Sequence, residues 1–461
     1  MSLVSYRPVV TGSGAINNAL GRCLYNLTDS LITFYFTVSH DTQSVTFQRS
    51  VALAKMNLTD SKILNLLGDY VTDILHIVTD SNPRSGGVIE AARAFALAWA
   101  RDGHRQDLLT LDAPGEVFLT DYPGKIFALG PPRNRMPWNI YRFSPKMVPW
   151  LKAHAQDYDA IIVSGLWRYQ ARGAWRALAG SKIPYLVFPH GMLDPWFENK
   201  YPLKHRLKQM SWWFAEGPLL ASARAVLFTN EEERQRSKGA FWPYKVNAGI
   251  ANLGISAPVG DPDTQRRAFR AAVPALGDRP FLLYLSRIHE KKGCDLLVEA
   301  FARVAHQQPG VDLVIAGPDQ TGLTSVLKEQ AAGRGVAGRI HFPGMMTGDA
   351  KIGAFREADA FVLPSHQENF GIVVVEALAV GTPVLISNQV YIWPEIVADE
   401  AGLVEPDTVE GTHRLLHRWF NLSESDRARL CKQATHSFKN RFDIKQAAQY
   451  LMELIEGLDN E

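Results

Sequence analysis

Long apolar runs are missing from this chain: none reaches the roughly 18 residues that a membrane-crossing helix needs, so no such helix is expected. Cysteine is scarce. Cys23, Cys294 and Cys431 are scattered, odd in number and without CxxC spacing, which argues against a disulfide framework or a zinc site and fits a reducing cytoplasm. Charge of one sign is not in excess either. The 49 Lys and Arg balance 47 Asp and Glu to a net +2, so nothing draws the chain generally to nucleic acid and any electrostatic function must be local. No basic-then-apolar leader opens the sequence, and the sequons at Asn26, Asn57 and Asn421 therefore carry no expectation of glycosylation. A dinucleotide fingerprint is absent as well. Gly12-Ser-Gly14-Ala-Ile-Asn17 lacks the third glycine, and no first strand of an α/β unit runs into G-x-G-x-x-G, which disfavours a dehydrogenase.

What is present is an ordinary globular composition, 46% hydrophobic and 21% charged, in 461 residues. That length suffices for two or three domains. Residues 1–70 show a short apolar run, Leu31–Val38, but no clean period, and read as a poorly ordered extension or a small accessory element. From Ile74 the pattern is regular. Strands are expected at Ile74–Val78, Leu108–Leu111, Ala160–Ser164, Pro184–Phe188 and Ala225–Phe228. A helix over Val88–Asp102 is closed by Gly103. Asn247–Gln265 is rich in Gly, Pro, Asn and Asp and reads as a linker. A second α/β pattern follows, with strands at Phe281–Leu285, Leu313–Ala316, Ile340–Phe342, Ala360–Leu363 and Val384–Ile386 and a last helix near Asp443–Leu458. The expected fold class is α/β: two doubly wound, Rossmann-like domains, 71–252 and 253–440, facing a cleft, with 441–461 as a closing helix.

The densest chemistry lies in Ala360–Ile386. Glu368 sits in a polar loop and Glu376 eight residues on, inside a helix expected from about Gly371 to Val380. The neighbours of Glu376 at three and four positions are Ile372, Val373, Ala379 and Val380, so its carboxylate occupies an apolar face. An unpaired charge buried there costs several kcal/mol, and a ligand's hydroxyl pair is one way to offset it. The same helix start offers free N–H groups, an anion site.

Ligands of open parallel sheets bind beyond the carboxyl ends of the strands. Those ends carry a cationic loop, Arg287-Ile-His289-Glu-Lys291-Lys292. They also carry Gly317-Pro318-Asp319, Pro343-Gly344-Met345, Ser85-Gly86-Gly87 and His190-Gly191. Arg287 and Lys292 together suit a diphosphate. Taken alone, such a basic turn is more often a solvated surface; its place on the same sheet edge as the 371 helix start favours the ligand reading. His190 at a strand end is either a packed core histidine or a cleft-facing one. The Asp157-Tyr-Asp159 and Asp261-Pro-Asp263 pairs resemble the DxD of metal-dependent sugar transferases. The first precedes a strand and the second lies in the linker, so no metal site is expected. The segment Trp196–Phe214 mixes Lys200, Lys204, Arg206 and Lys208 with aromatics. It reads either as a solvated helix or as an interfacial patch for an anionic bilayer.

These residues resemble the retaining glycosyltransferases of family 4 (the group 1 glycosyltransferases), with the GT-B fold. The likeness rests on Arg287 with Lys292, on Glu368-Asn369-Phe370-Gly371 with Glu376 (an E-x7-E pattern), on Gly86-Gly87 and on Phe-Pro-His190-Gly191. It covers the chain from about Ile74 onward, not residues 1–70. Two departures stand out: Glu368-Asn-Phe-Gly371 where the family often has EGFG, and a hinge, Ile250-Ala-Asn-Leu-Gly254, without the usual proline. The resemblance implies the following roles. His190, Arg287, Lys292 and Glu368 are catalytic. Gly86, Gly87, Met345, Asn369, Phe370, Gly371, Ile372 and Glu376 bind the donor, Glu376 through ribose hydroxyls and Met345 beside the base. It further implies no cofactor beyond a nucleotide diphosphate sugar as co-substrate. The reaction would be hexose transfer with retention to a glycan or lipid-linked acceptor, in the cytoplasm or at the inner face of the membrane. A sugar-nucleotide epimerase of similar two-domain fold, and a non-catalytic nucleotide-binding module, remain open beside it.

Overall fold

Thirteen of the strands belong to two parallel sheets whose carboxyl ends face one another within a single unit, Tyr70–Glu461. The computed structural model describes residues 71–457 apart from 84–85, 121, 133–139, 196–197 and 199–201, together with three strands inside residues 1–70. Those three, β1 (Asn18–Leu27), β2 (Ser30–Ser39) and β3 (Val45–Phe47), form an antiparallel meander in a separate unit, Met1–Asp69. The apolar run Leu31–Val38 is the body of β2.

The larger unit opens with β4 (Asp73–Val78), β5 (Arg105–Thr110) and β6 (Ile126–Ala128). Next come β7 (Ala160–Ser164), β8 (Tyr185–Phe188), β9 (Ala225–Phe228) and β10 (Ala248–Ile250). They align in the order β10-β9-β8-β7-β4-β5-β6, every neighbour parallel. The second sheet holds β11 (Phe281–Leu285), β12 (Asp312–Ala316), β13 (Ile340–Gly344), β14 (Ala360–Leu363), β15 (Val384–Ser387) and β16 (Gly402–Glu405). Its order, β13-β12-β11-β14-β15-β16, is again all parallel. Central strands such as FLLYL are buried at every position, the pattern of a sheet covered on both faces.

Six helices matter below. They are α1 (Gly87–Arg101), α2 (Pro202–Ser211), α3 (Pro262–Ala272), α4 (Gly348–Glu357), α5 (Ile372–Ala379) and α6 (Ile444–Gly457). Helix α1 buries Ile89, Ala92, Phe95, Ala96 and Trp99 as its 3.6-residue period requires. The Trp99 indole N–H donates to the Ala448 carbonyl at 3.0 Å, tying α6 back to the first sheet's domain.

Three sequence expectations need correction. The supposed linker 247–265 is taken up by regular elements at both ends. Its first residues form β10, which pairs with β9, and its end opens α3. Asp261 accepts from the Thr264 N–H at 2.8 Å and Pro262 stands at the first helical position, an N-cap and N1 combination that the turn-rich composition masked. Short edge strands β6 and β16 escaped notice, because IFA is only three residues long and GLVE opens on Gly and ends on Glu, so neither is a four-residue apolar run. β5 begins three residues earlier than Leu108. Its polar start is paired, with Asp107 accepting from Tyr158 Oη at 3.0 Å and from the Lys125 N–H at 2.9 Å.

Candidate active site

The strand-to-helix loops of both sheets converge, and two helix starts meet among them. Gly86, at φ 108°, caps α1 in a conformation open only to glycine. A Cβ added to the next residue, Gly87, would lie 2.6 Å from Cδ1 of Ile372, the first residue of α5. Each helix start presents N–H groups with no partner in its own helix, so two anion-favouring ends from different domains meet at one place. Gly371 (φ 69°) makes the turn into α5. Phe370 is buried against Phe442, ring centroids 5.8 Å apart, so what it can offer a ligand is backbone.

Around this junction the domains are joined by polar side chains. The Asn369 amide donates to Thr229 Oγ1 at 3.1 Å, and Asn230 donates to the Asn369 carbonyl at 3.2 Å. Gln367 donates to Asp194 Oδ2 at 2.9 Å, and the Tyr391 hydroxyl donates to the same carboxylate oxygen. Arg236 stacks 4.5 Å over the Tyr391 ring and donates to Gln389 at 3.1 Å. Asn369 thus serves the interface directly.

The cationic turn after β11 lies on the second sheet's carboxyl edge. Arg287 is exposed there, its carbonyl held by the Tyr284 hydroxyl at 3.0 Å. Lys292 is buried and bonded to the Glu368 carboxylate. The two-cation picture of Arg287 with Lys292 is therefore incomplete, because Lys292 already carries a counter-charge. Its neighbour Lys291 adds a third cation, its ammonium 2.9 Å from Gln367 Oε1. Burial first, and then repulsion from Lys292, pull its pKa down to about 8.

Glu376 is half-buried. Its Oε1 accepts from Lys351 Nζ of α4 at 2.6 Å, while Oε2 is buried without a hydrogen-bond partner among the described residues. The expectation that a ligand alone would offset this carboxylate is corrected by half: an ammonium takes one oxygen and leaves the other. Ile372, Val373, Ala379 and Val380 are likewise half-buried; α5 sends Val374, Val375, Ala377 and Leu378 into the core instead. Met345 follows β13 and is 67% exposed.

On the opposing edge, His190 (φ 52°) stacks on Phe188 and its Nε2 lies 3.0 Å from Ser164 Oγ. The same hydroxyl lies 2.8 Å from Nε2 of His76. Burial lowers both imidazoles, His190 to about 4 and His76 to about 3, the latter pushed further by His190. Both are neutral at pH 7, so His190 meets a ligand as a neutral donor or acceptor. Gly191 is held by the Glu233 carboxylate, and a Cβ there would touch Asn369 at 2.9 Å.

The remaining acidic candidates are committed elsewhere. Asp319 accepts from the N–H groups of Thr321, Gly322, Leu323 and Thr324, which holds its pKa far below the usual carboxylate range. Asp159 accepts from the Asp73 N–H at 2.7 Å, and Asp263 pairs with Arg266 at 2.9 Å. Ser85, Trp196, Phe197 and Lys200 lie outside the described residues. Sequence reasoning missed Ser164, Asp194 and Lys351. A lone histidine within the apolar strand DILHIV was the one available signal for the Ser164 pair.

Comparison with known proteins bears on the family and the fold. Residues 265–437 match the model of the group 1 glycosyl transferases, and residues 86–246 match that of a glycosyl transferase 4-like domain. A D-inositol 3-phosphate glycosyltransferase of Mycobacteroides abscessus is 35% identical over 176 residues, 36% of this chain and 38% of that protein. A mannosylfructose-phosphate synthase of Agrobacterium fabrum is 28% identical over 183 residues, 38% of this chain and 40% of that protein. The matched stretches thus span less than half the length of these relatives. Among solved structures, a sucrose-phosphate synthase from Thermosynechococcus elongatus is similar over 84% of this chain and 99% of its own, with TM-score 0.66 and 21% identity. The Anabaena protein HepE, solved with UDP and glucose, is similar over 84% of this chain and all of its own, with TM-score 0.65 and 17% identity. At such identities the likeness concerns the fold, which is GT-B.

Proposed function

The chain belongs to the group 1 glycosyltransferases, and on that premise we propose that it moves a hexose from a nucleoside diphosphate sugar to a glycan or lipid-linked acceptor, with retention, in cytoplasmic polysaccharide biosynthesis. One observation carries the reading: Arg287, Lys291 and Lys292 crowd the carboxyl edge of one sheet beside the α5 start, where α1 of the other domain abuts it. When the donor's anomeric bond breaks, charge gathers on the β-phosphate of the departing diphosphate. Fixed cations and helix N–H groups stabilise that charge more than they stabilise the intact donor.

The other residues take roles that fit their positions. Glu376, with one oxygen on Lys351 and one without a partner, accepts from the ribose hydroxyls. Lys292 holds Glu368 beside the donor sugar, and neutral His190 approaches that sugar from the opposite domain. Met345 borders the base. Asp159 and Asp261 accept backbone N–H groups, Asp263 pairs with Arg266 and Asp157 with His154, so in this reading the cations and the helix start take the part that a divalent ion plays elsewhere. HepE, crystallised with UDP-glucose, makes uridine the first base to try.

The test incubates the protein with labelled UDP-, GDP-, ADP- and dTDP-hexoses, with and without acceptor glycans. Label passing to the acceptor, with its anomeric configuration kept and a nucleoside diphosphate released, is the expected result. An epimerised sugar nucleotide formed without acceptor would replace this reading by the epimerase one. Binding with neither transfer nor hydrolysis would leave a binding module.

A further inference from the structure

Helix α2 combines large apolar side chains with exposure. None of its ten residues is buried, yet Leu203, Leu207 and Met210, with Phe214 just beyond its end, are each between 50% and 75% exposed. Their spacing of four, three and four residues aligns them as one narrow stripe. Trp213 and Trp242 extend it, 46% and 74% exposed. They are held together because the Trp213 indole donates to the Trp242 carbonyl at 2.9 Å and Gln209 bonds both the N–H and the carbonyl of Trp242. The patch is anchored from behind. His205 stacks on Phe241 with centroids 4.7 Å apart, and the Trp212 indole donates to the Pro243 carbonyl at 2.9 Å. Soluble proteins rarely show so many large apolar side chains together without a partner for them.

We propose that this face, α2 with Trp213, Phe214 and Trp242, docks onto the surface of a bilayer that contains anionic lipid. Charge decides the occupant. Helix α2 carries Lys204, Arg206 and Lys208 and no acidic residue. Lys208 turns inward, its ammonium 4.5 Å above the Trp167 ring, which leaves Lys204 and Arg206, both exposed, to flank the stripe. Two copies of the chain meeting through this face would bring those cations together with no acid on the helix to receive them. A phospholipid surface offers phosphates to the cations, an apolar boundary to the leucines and an interfacial zone to the indoles.

The location gives the patch a use. Trp167, under Lys208, follows β7, and its N–H donates to Glu216 Oε1 at 3.2 Å just past the patch. The docking face therefore borders the carboxyl edge of the seven-stranded sheet, the edge that faces the cleft. This deepens the lipid-linked acceptor part of the proposed function and rests on it for its purpose, though not for the binding itself.

Flotation of the full chain with phosphatidylcholine vesicles, with and without phosphatidylglycerol, tests it. Wild type should float with the phosphatidylglycerol vesicles. Binding should fall roughly tenfold or more in a Leu207→Glu, Phe214→Glu variant and in a Lys204→Glu, Arg206→Glu variant. Both variants should keep the wild-type melting temperature, since the altered side chains are exposed. Absence from both kinds of vesicle would overturn the proposal. So would equal binding to both kinds, or a dimer in gel filtration that Leu207→Glu splits while vesicles are ignored. The assay needs no turnover, so its failure is distinct from a failure of glycosyl transfer.

Discussion

The two sheet edges that face each other are built on opposite electrostatic plans. On the seven-stranded side polar groups are closed upon themselves. Asp112 receives Ser81, Thr110 and Arg142, the last at 2.6 Å; Glu233 receives Thr229 and Gly191; Ser164 sits between two neutral imidazoles. On the six-stranded side charge is less completely paired. Arg287 is exposed, Lys291 holds its proton loosely, and one oxygen of Glu376 has no partner among the described residues. The difference teaches a division of labour. One domain supplies a wall whose charges are paired among themselves, and the other supplies the charge that a diphosphate ligand would meet.

The sharpest way to break that comparison is to remove charge from the charged side. Arg287→Ala and Glu376→Ala should each lower kcat/KM for transfer a hundredfold or more, roughly the 3 kcal/mol attributed to one lost transition-state donor. Wild-type-like turnover in Glu376→Ala would remove the ribose role. The junction between the edges is the next target. Gly87→Val would force Ile372 aside, and about a tenfold loss, ~1.4 kcal/mol, is expected in steady-state kinetics. Partial recovery in Gly87→Val with Ile372→Ala would show that the contact, rather than α1 itself, is at fault.

The seven-stranded side is probed by pH. His76 and His190 bind protons at about 3 and about 4 when folded but near the ordinary 6.5 when unfolded. The unfolded chain therefore takes up more protons below pH 6.5, and stability is lost as pH falls from 6.5 through about 4 toward about 3. Urea midpoints should drop over that interval, and His76→Gln should flatten the drop. The smallest effect belongs to Lys291. Its charge is lost as pH rises through about 8, so affinity for a nucleoside diphosphate should weaken a few-fold across that value. In Lys291→Met the dependence should vanish.

Much of the scaffold was legible because both sheets are parallel and buried. Ala360–Leu363 reads as a strand from four apolar residues in a row, and it is one with the same bounds. The turn at Gly371 and the helix after it were equally plain. What stayed hidden depends on long-range partners. Lys351 sits 25 residues before Glu376 on a different helix, and Asp194 lies 173 residues before Gln367. No local period encodes such pairs. Ser164 ends an apolar strand and looks like a simple strand terminus until two histidines from neighbouring strands reach it. The linker misreading has a related cause, since Asp, Pro and Gly signal both a flexible segment and a capped helix start.

Titration calorimetry with the nucleoside diphosphate that most raises the melting temperature tests the division of labour most directly. Wild type and Arg287→Ala are compared at equal ionic strength. An open cationic edge predicts at least about tenfold weaker binding in the variant, ~1.4 kcal/mol. Equal affinity in the two proteins would mean that the diphosphate is held elsewhere.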